Sequence, residues 1–213
     1  MCIRDRSGRD QINLVMKDQL ARNPVFFNTI MEVLYDQDSK SKLSSIQLEY
    51  HFRFFSACDE VLNSINTLPG QNTDFSIDKE IFRTWLDTVR QDAIDKNRVE
   101  KVDIRIGRML GNFSLENHVS SGIVYEYIEE IKSKALSDGF FSGIVSTGKT
   151  TWRAIEAGGK IEWRKRDEAL AKARSLRTTY PYVAGVYSEI ADYYKEKAER
   201  EDRDALYHKL DDD

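Results

Sequence analysis

The sequence predicts an all-α protein, an irregular multi-helix bundle followed by a long C-terminal antiparallel helical hairpin, and three observations predict it. Only 11 glycines and 3 prolines occur in 213 residues, few for a sheet protein that must turn repeatedly. Apolar residues recur every three or four positions through most of the chain, the spacing of a buried helix stripe. Beyond Gly159 two charged, periodic stretches are joined by a short Thr178-Thr179-Tyr180 connection, which makes them antiparallel neighbours.

Composition bounds the function classes. With 40% hydrophobic and 11% aromatic residues, a chain of this length can bury about 70% of its unfolded surface, enough for one or two domains. Charged residues are abundant but balanced, 32 basic against 36 acidic, for a net charge of -4 and a pI near 5.6. That balance gives no general case for nucleic acid or an anionic membrane as partner. Two cysteines, Cys2 and Cys58, make neither a disulfide framework nor a thiolate metal site, so the expected compartment is the reducing cytoplasm. No apolar run approaches the roughly 20 residues that span a bilayer.

The opening MCIRDR resembles an adapter-derived prefix on environmental sequences, so residues 1–9 read as a non-native or disordered leader. A helical body is expected from 10 to 142. It begins with a stripe of Ile12, Leu14, Val15 and Leu20, restarted at Asn23-Pro24, where asparagine caps and proline takes the first helical position. Phe26, Phe27, Ile30, Met31 and Leu34 form the next buried stripe. Asp36 to Ser41 is a polar break. A longer helix over about Ser44 to Ile65 carries Cys58 on its apolar face, which reads as a small buried hydrophobe rather than a nucleophile. Pro69-Gly70 marks a surface loop, Ser76 a cap, and Ile81, Trp85, Leu86, Val89 and Ala93 a buried face. Val102, Ile106, Met109 and Leu110 predict a shorter helix stopped by Gly111-Asn112. Ser120 or Ser121 then starts a helix with Ile123, Val124, Tyr127, Ile128 and Ile131, ended by Asp138-Gly139.

Gly143 to Thr150 satisfies GxxxxGK[ST], the phosphate-binding-loop pattern. As a nucleotide site, Gly143, Gly148, Lys149 and Thr150 would require a strand before the loop, converging amides, a helix starting at the Lys-Thr and an acidic partner for Mg²⁺. Only Phe140-Phe141 lies just ahead, after a helix, and no apolar strand ending in aspartate follows. The favoured reading is a flexible junction over 143–159, with Lys149 an ordinary solvated charge.

The hairpin is expected over 160–213, with helices from about Lys160 to Arg177 and Pro181 to Leu210. The second outruns the first by roughly three turns, so its end is expected to project or meet something else. The first is basic, and Arg164, Lys165 and Arg166 would be its nucleic-acid contacts. Pairing with the acidic second helix, which carries Glu189, Asp192, Glu196 and Glu199, is the favoured alternative. His51, His118 and His208 lack any metal-ligand spacing, so no metal site or catalytic residue is assigned.

The order RNPVFF around Asn23, Pro69-Gly70, a Trp85 helix, IGRML at Ile106, Gly158-Gly159 and TYPYVAGVYSEIADYYKEKAEREDRDA resembles the C-terminal region of large uncharacterised bacterial proteins. The resemblance covers about Asp10 to Leu210 and implies a terminal helical module of a multidomain protein, with no reaction to carry over. The functional expectation is a noncatalytic protein-interaction or scaffold module without cofactor. Its partners would be other domains of the parent chain or a second protein. Nucleotide binding and nucleic-acid binding are the alternatives.

Overall fold

A computed structural model describes residues 15–35, 45–63, 65, 67–116, 121–146 and 158–211, with side chains described over most of that range. The chain is all-α. Helix α1 covers residues 15–22, followed by α2 (Pro24–Tyr35), α3 (Ser45–Asn63), α4 (Lys79–Asp95), α5 (Val99–Glu116), α6 (Ser121–Ile131), α7 (Lys134–Ser146), α8 (Lys160–Leu176) and α9 (Pro181–Asp211). Among the described residues the β-structure is an isolated bridge between Gln71 and Ile77. The Ile12, Leu14 and Asp36 to Ser41 expectations fall outside the described residues.

Two compact units divide the chain, Met1–Val124 with Lys134–Ile144, and Tyr125–Ser133 with Val145–Asp213. In the first, local chemistry sets the helix starts. Asn23 Oδ1 accepts from the amides of Val25 and Phe26 at 3.0 and 3.1 Å, so Asn23-Pro24 restarts the chain as its composition demands. The expected Ser76 cap is replaced by Asp78, whose carboxylate accepts from Glu80 and Ile81 at 3.0 Å. Ser76 is instead held by Asp74 within the turn. Starting α4 at Lys79 puts Phe82, not Ile81, beside Trp85, Leu86, Val89 and Ala93 in the core, and Ile81 is 55% exposed. Phe27 meets the Trp85 ring edge-on with centroids 5.0 Å apart, joining α2 to α4. Cys58 is buried, and burial pushes its thiol pKa up, as a small core hydrophobe requires.

Helix α5 carries the polar links of this unit. Arg90 of α4 donates from Nε to Oδ1 of buried Asp103 at 2.9 Å and from Nη2 to Oδ2 at 3.3 Å. Arg105 donates to Tyr35 Oη at 3.1 Å, to Asn63 Oδ1 at 2.6 Å and to the Asp59 carboxylate. Asn112 donates to the carbonyls of Asn63 and Ile65, each at 2.9 Å, satisfying acceptors that the end of α3 leaves open.

The glycines of α5 and α7 depart most from expectation. Gly111-Asn112 does not stop α5, and the helix expected to run from Ser121 to Asp138-Gly139 breaks after Ile131, where Lys132 takes a φ of 49°, with α7 starting at Lys134 and running on through Gly139 and Gly143 to Ser146. The reason is close backbone packing. A Cβ on Gly107 would lie 3.0 Å from Gly139 Cα and overlap the Leu136 carbonyl oxygen. One on Gly143 would lie 2.9 Å from Gly111 Cα and overlap the Arg108 carbonyl oxygen. Two four-residue glycine spacings therefore face each other, Gly107/Gly111 on α5 and Gly139/Gly143 on α7. Their helix-propensity cost, roughly 1 kcal/mol per glycine, is offset by contacts that only a missing side chain permits.

The second unit is built on α8 and α9, which pack antiparallel across a four-residue connection. Small residues bring them together, since a Cβ on Gly159 would lie 2.7 Å from Ala198 Cα. Ala184, Ala191, Ala198 and Ala205 recur every seven residues on α9, and all are buried. Tyr125 reaches both ends of the connection's neighbourhood, with ring centroids 5.9 Å from Tyr180 and 6.2 Å from Tyr187. Its hydroxyl lies 3.2 Å from that of Tyr187. Burial, with Tyr125 adding to it, raises the Tyr187 pKa far above the ordinary phenol value.

Gly143→Ala is expected to lower stability by about 1–3 kcal/mol through overpacking. Gly185→Ala, whose added Cβ meets nothing within 4 Å, should raise it by about 0.5–1 kcal/mol. Urea unfolding of both variants checks the pair, and an unchanged midpoint for Gly143→Ala would contradict the packing described.

Candidate functional site

Of the phosphate-loop pattern, residues 143–146 are described. Gly143 is the tenth residue of α7, buried against α5. Phe140 and Phe141, where a nucleotide-binding domain would need a strand, are helical. Gly148, Lys149 and Thr150 lie outside the described residues, as does most of the expected 143–159 junction; its first residues, Gly143 to Ser146, belong to α7. The junction emerges at Gly158, which adopts a positive φ of 55°, and Gly159.

Entry into α8 is fixed by a residue far along the chain. Gly159 stands at the N-cap position and has no side chain to cap with. Asp202 holds that N-cap residue itself, taking the Gly159 amide at 2.7 Å through Oδ1 and the Trp163 indole N–H at 2.9 Å through Oδ2. These hydrogen bonds, the Gly159 amide first and the Trp163 indole second, hold the Asp202 pKa below the usual carboxylate range. The start of α9 also draws on a distant carboxylate. Tyr180 offers no capping carboxylate, and Glu129 Oε2 accepts from the amides of Tyr182 and Val183 at 2.8 and 3.3 Å. Negative charge at a helix N-terminus opposes the positive end of its dipole. Neither acceptor is visible as a local sequence signal, because each lies about forty to fifty residues from the helix start it holds.

The nucleic-acid candidates of α8 are occupied locally. Arg164 lies 3.6 Å from Glu168, one turn along the same helix. Lys165 Nζ sits 5.2 Å from the Tyr194 ring centroid. Arg166 lies 5.2 Å from the Trp163 ring centroid and reaches Asp167 at 3.2 Å. Cation–π contacts, rather than carboxylates of α9, take the heads of Lys165 and Arg166. His51 and His118 have no described side chain, and His208 is exposed near the end of α9. Among the described residues no group of three or more His, Cys, Asp or Glu could hold a metal ion. No helix in that range is long and apolar enough to cross a membrane.

What the second unit does present is an unequal pair of helices. α9 has 31 residues and α8 has 17, a difference of about 21 Å at 1.5 Å per residue. Asp202 is opposite the first turn of α8, so 203–211 continue beyond it. There Leu206 is 58% exposed and Tyr207 64%. The chain matches no family model, no curated protein and no solved structure.

The Asp202 clasp gives a pH dependence with a defined sign. A carboxyl whose folded pKa lies below its unfolded value, about 3.9, stabilises the fold above that value. The contribution is lost as pH falls through the folded pKa. Asp202→Ala should therefore unfold at lower urea than the native chain at pH 7, and the gap should narrow as pH falls below the unfolded carboxylate value. A gap that stays constant with pH would assign the loss to something other than the carboxylate charge.

Proposed function

We propose that this chain is a noncatalytic α-helical protein-interaction or scaffold module, the C-terminal part of a larger multidomain bacterial protein acting in the cytoplasm. Its contact is made by the part of α9 that outruns α8. The observation that carries this reading is the display of Leu206 and Tyr207 on that extension. Two large apolar side chains left in solvent on a helix end gain by burial against a partner, and tyrosine is among the residues enriched at the centre of protein contacts. The described portion of the GxxxxGKT stretch is a packed helix rather than an anion cradle, and the basic triplet of α8 is engaged with rings and neighbouring acids. Both points support the interaction reading over the nucleotide and nucleic-acid alternatives.

A photo-cross-linking residue placed at Tyr207 should give a discrete protein adduct in bacterial cells, whereas the same group at Ile94, exposed on α4, should give none. Absence of any protein adduct at position 207 sinks the proposal. Micromolar ATP binding that disappears in Lys149→Ala, measured by equilibrium dialysis, would replace it with the nucleotide reading.

A further inference from the structure

One side of the α8–α9 hairpin is taken by Tyr125, which stacks toward Tyr180 and Tyr187 and lies under Lys172. The other side is a groove. It is formed by two adjoining hollows of about 250 and 430 Å³ that share Leu170. Small residues, Ala173, Ala184, Gly185, Ser188 and Ala191, line it together with Arg166, Lys195 and one acid, Asp192, and the space above Gly185 is open. Arg174 and Arg177, both exposed, line its outer part near the connection. A lining of this kind admits another helix at close range, and the arginines favour one that carries acid.

The extension of α9 has these properties. From Arg203 to Asp213 the sequence carries four aspartates against Arg203 and Lys209, next to the exposed Leu206 and Tyr207. It also lies on the matching side. Leu206 follows Ser188 by eighteen residues, which is five full turns of 3.6, so the groove's own line along α9 continues into Leu206. A chain cannot fold its own rigid α9 back into its own groove. Two chains side by side and antiparallel can each place that extension in the other's groove, because the groove and the extension lie toward opposite ends of one helix face. The contact is then isologous and closes at two copies, both grooves being filled.

We infer that a second copy of this chain occupies the groove, with the α9 extension of each copy packed between α8 and α9 of the other and its aspartates facing Arg174 and Arg177. This rests on the interaction reading above and names its partner. The pairing predicts a salt-weakened dimer.

Sedimentation velocity over a concentration series of the intact chain tests it, with Arg174→Glu/Arg177→Glu as the groove variant and Leu206→Asp/Tyr207→Asp as the end variant. Far-ultraviolet circular dichroism confirms that both variants keep their helix content. The expected result is a monomer–dimer equilibrium whose Kd rises at least about tenfold in each variant, and rises with salt in the native chain. A native chain that stays monomeric at about 100 µM, a dimer insensitive to both variants, or open-ended association to larger species would each overturn the pairing. Failure here is separable from failure of the broader reading. A monomeric chain that still gives an adduct of another protein from position 207 overturns self-pairing alone, and a monomer with no adduct overturns both.

Discussion

The first unit depends on what α5 can touch. Its Gly107 and Gly111 meet Gly139 and Gly143 backbone to backbone, and an approach that close leaves no latitude in the placement of α7. Its other sides carry Asp103, held by Arg90, and Arg105, which reaches Tyr35, Asp59 and Asn63. Buried Asp103 would be costly alone, and the bidentate guanidinium makes it tolerable. One helix thus sets its neighbours by three kinds of contact, none of which depends on apolar periodicity. The stripe of Val102, Ile106, Met109, Leu110 and Phe113, all fully buried, supplies the bulk of the driving force but would tolerate a shift of a few degrees. Glycine contacts and directional hydrogen bonds do not tolerate it.

Apolar periodicity was legible in the sequence because it is a local property. Met31, Leu34, Val89 and Ile128 are buried where their spacing puts them, and the limits of α8 and α9 follow from Gly158-Gly159 and Pro181. What the sequence hides is long-range. Glu129 caps a helix 53 residues ahead and Asp202 holds the start of one 43 residues behind, and no window of a dozen residues holds both partners. Ile81 shows the same limit at small scale. Its spacing from Trp85 suits a buried stripe, but Asp78 fixes the start of α4, leaving Ile81 outward on the first turn and Phe82 inward. The glycine pairs did leave a trace, two spacings of four at 107/111 and 139/143. Locally, Gly111 and Gly139 signal helix stops and Gly143 the start of a junction, because a glycine near a helix end more often terminates than packs.

The second unit uses small residues in two ways. Where Gly159 meets Ala198 they let α8 and α9 approach, and the buried Ala191 and Ala184 continue that line toward the connection. Where Gly185 and Ser188 face outward they do the reverse, leaving a hollow. A close hairpin with an open side is short of one helix relative to a three-layered bundle. Among the described residues Tyr125 and Glu129 cover the opposite side and the start of α9, and the hollow lies on the side that Leu206 shares.

The meaning of Gly143 follows from its amide. A glycine that cradles phosphate must turn its N–H toward the ligand, which requires a loop or the first turn of a helix, where amides have no intrahelical acceptor. The tenth residue of α7 has such an acceptor four residues back, in the carbonyl of Gly139. Its lack of a side chain serves instead to admit the carbonyl of Arg108 and the Cα of Gly111. The same letter therefore satisfies a phosphate-loop pattern and a helix-packing pattern, and the two make opposite demands on the backbone: one needs the amide unspent, the other has already spent it on the helix.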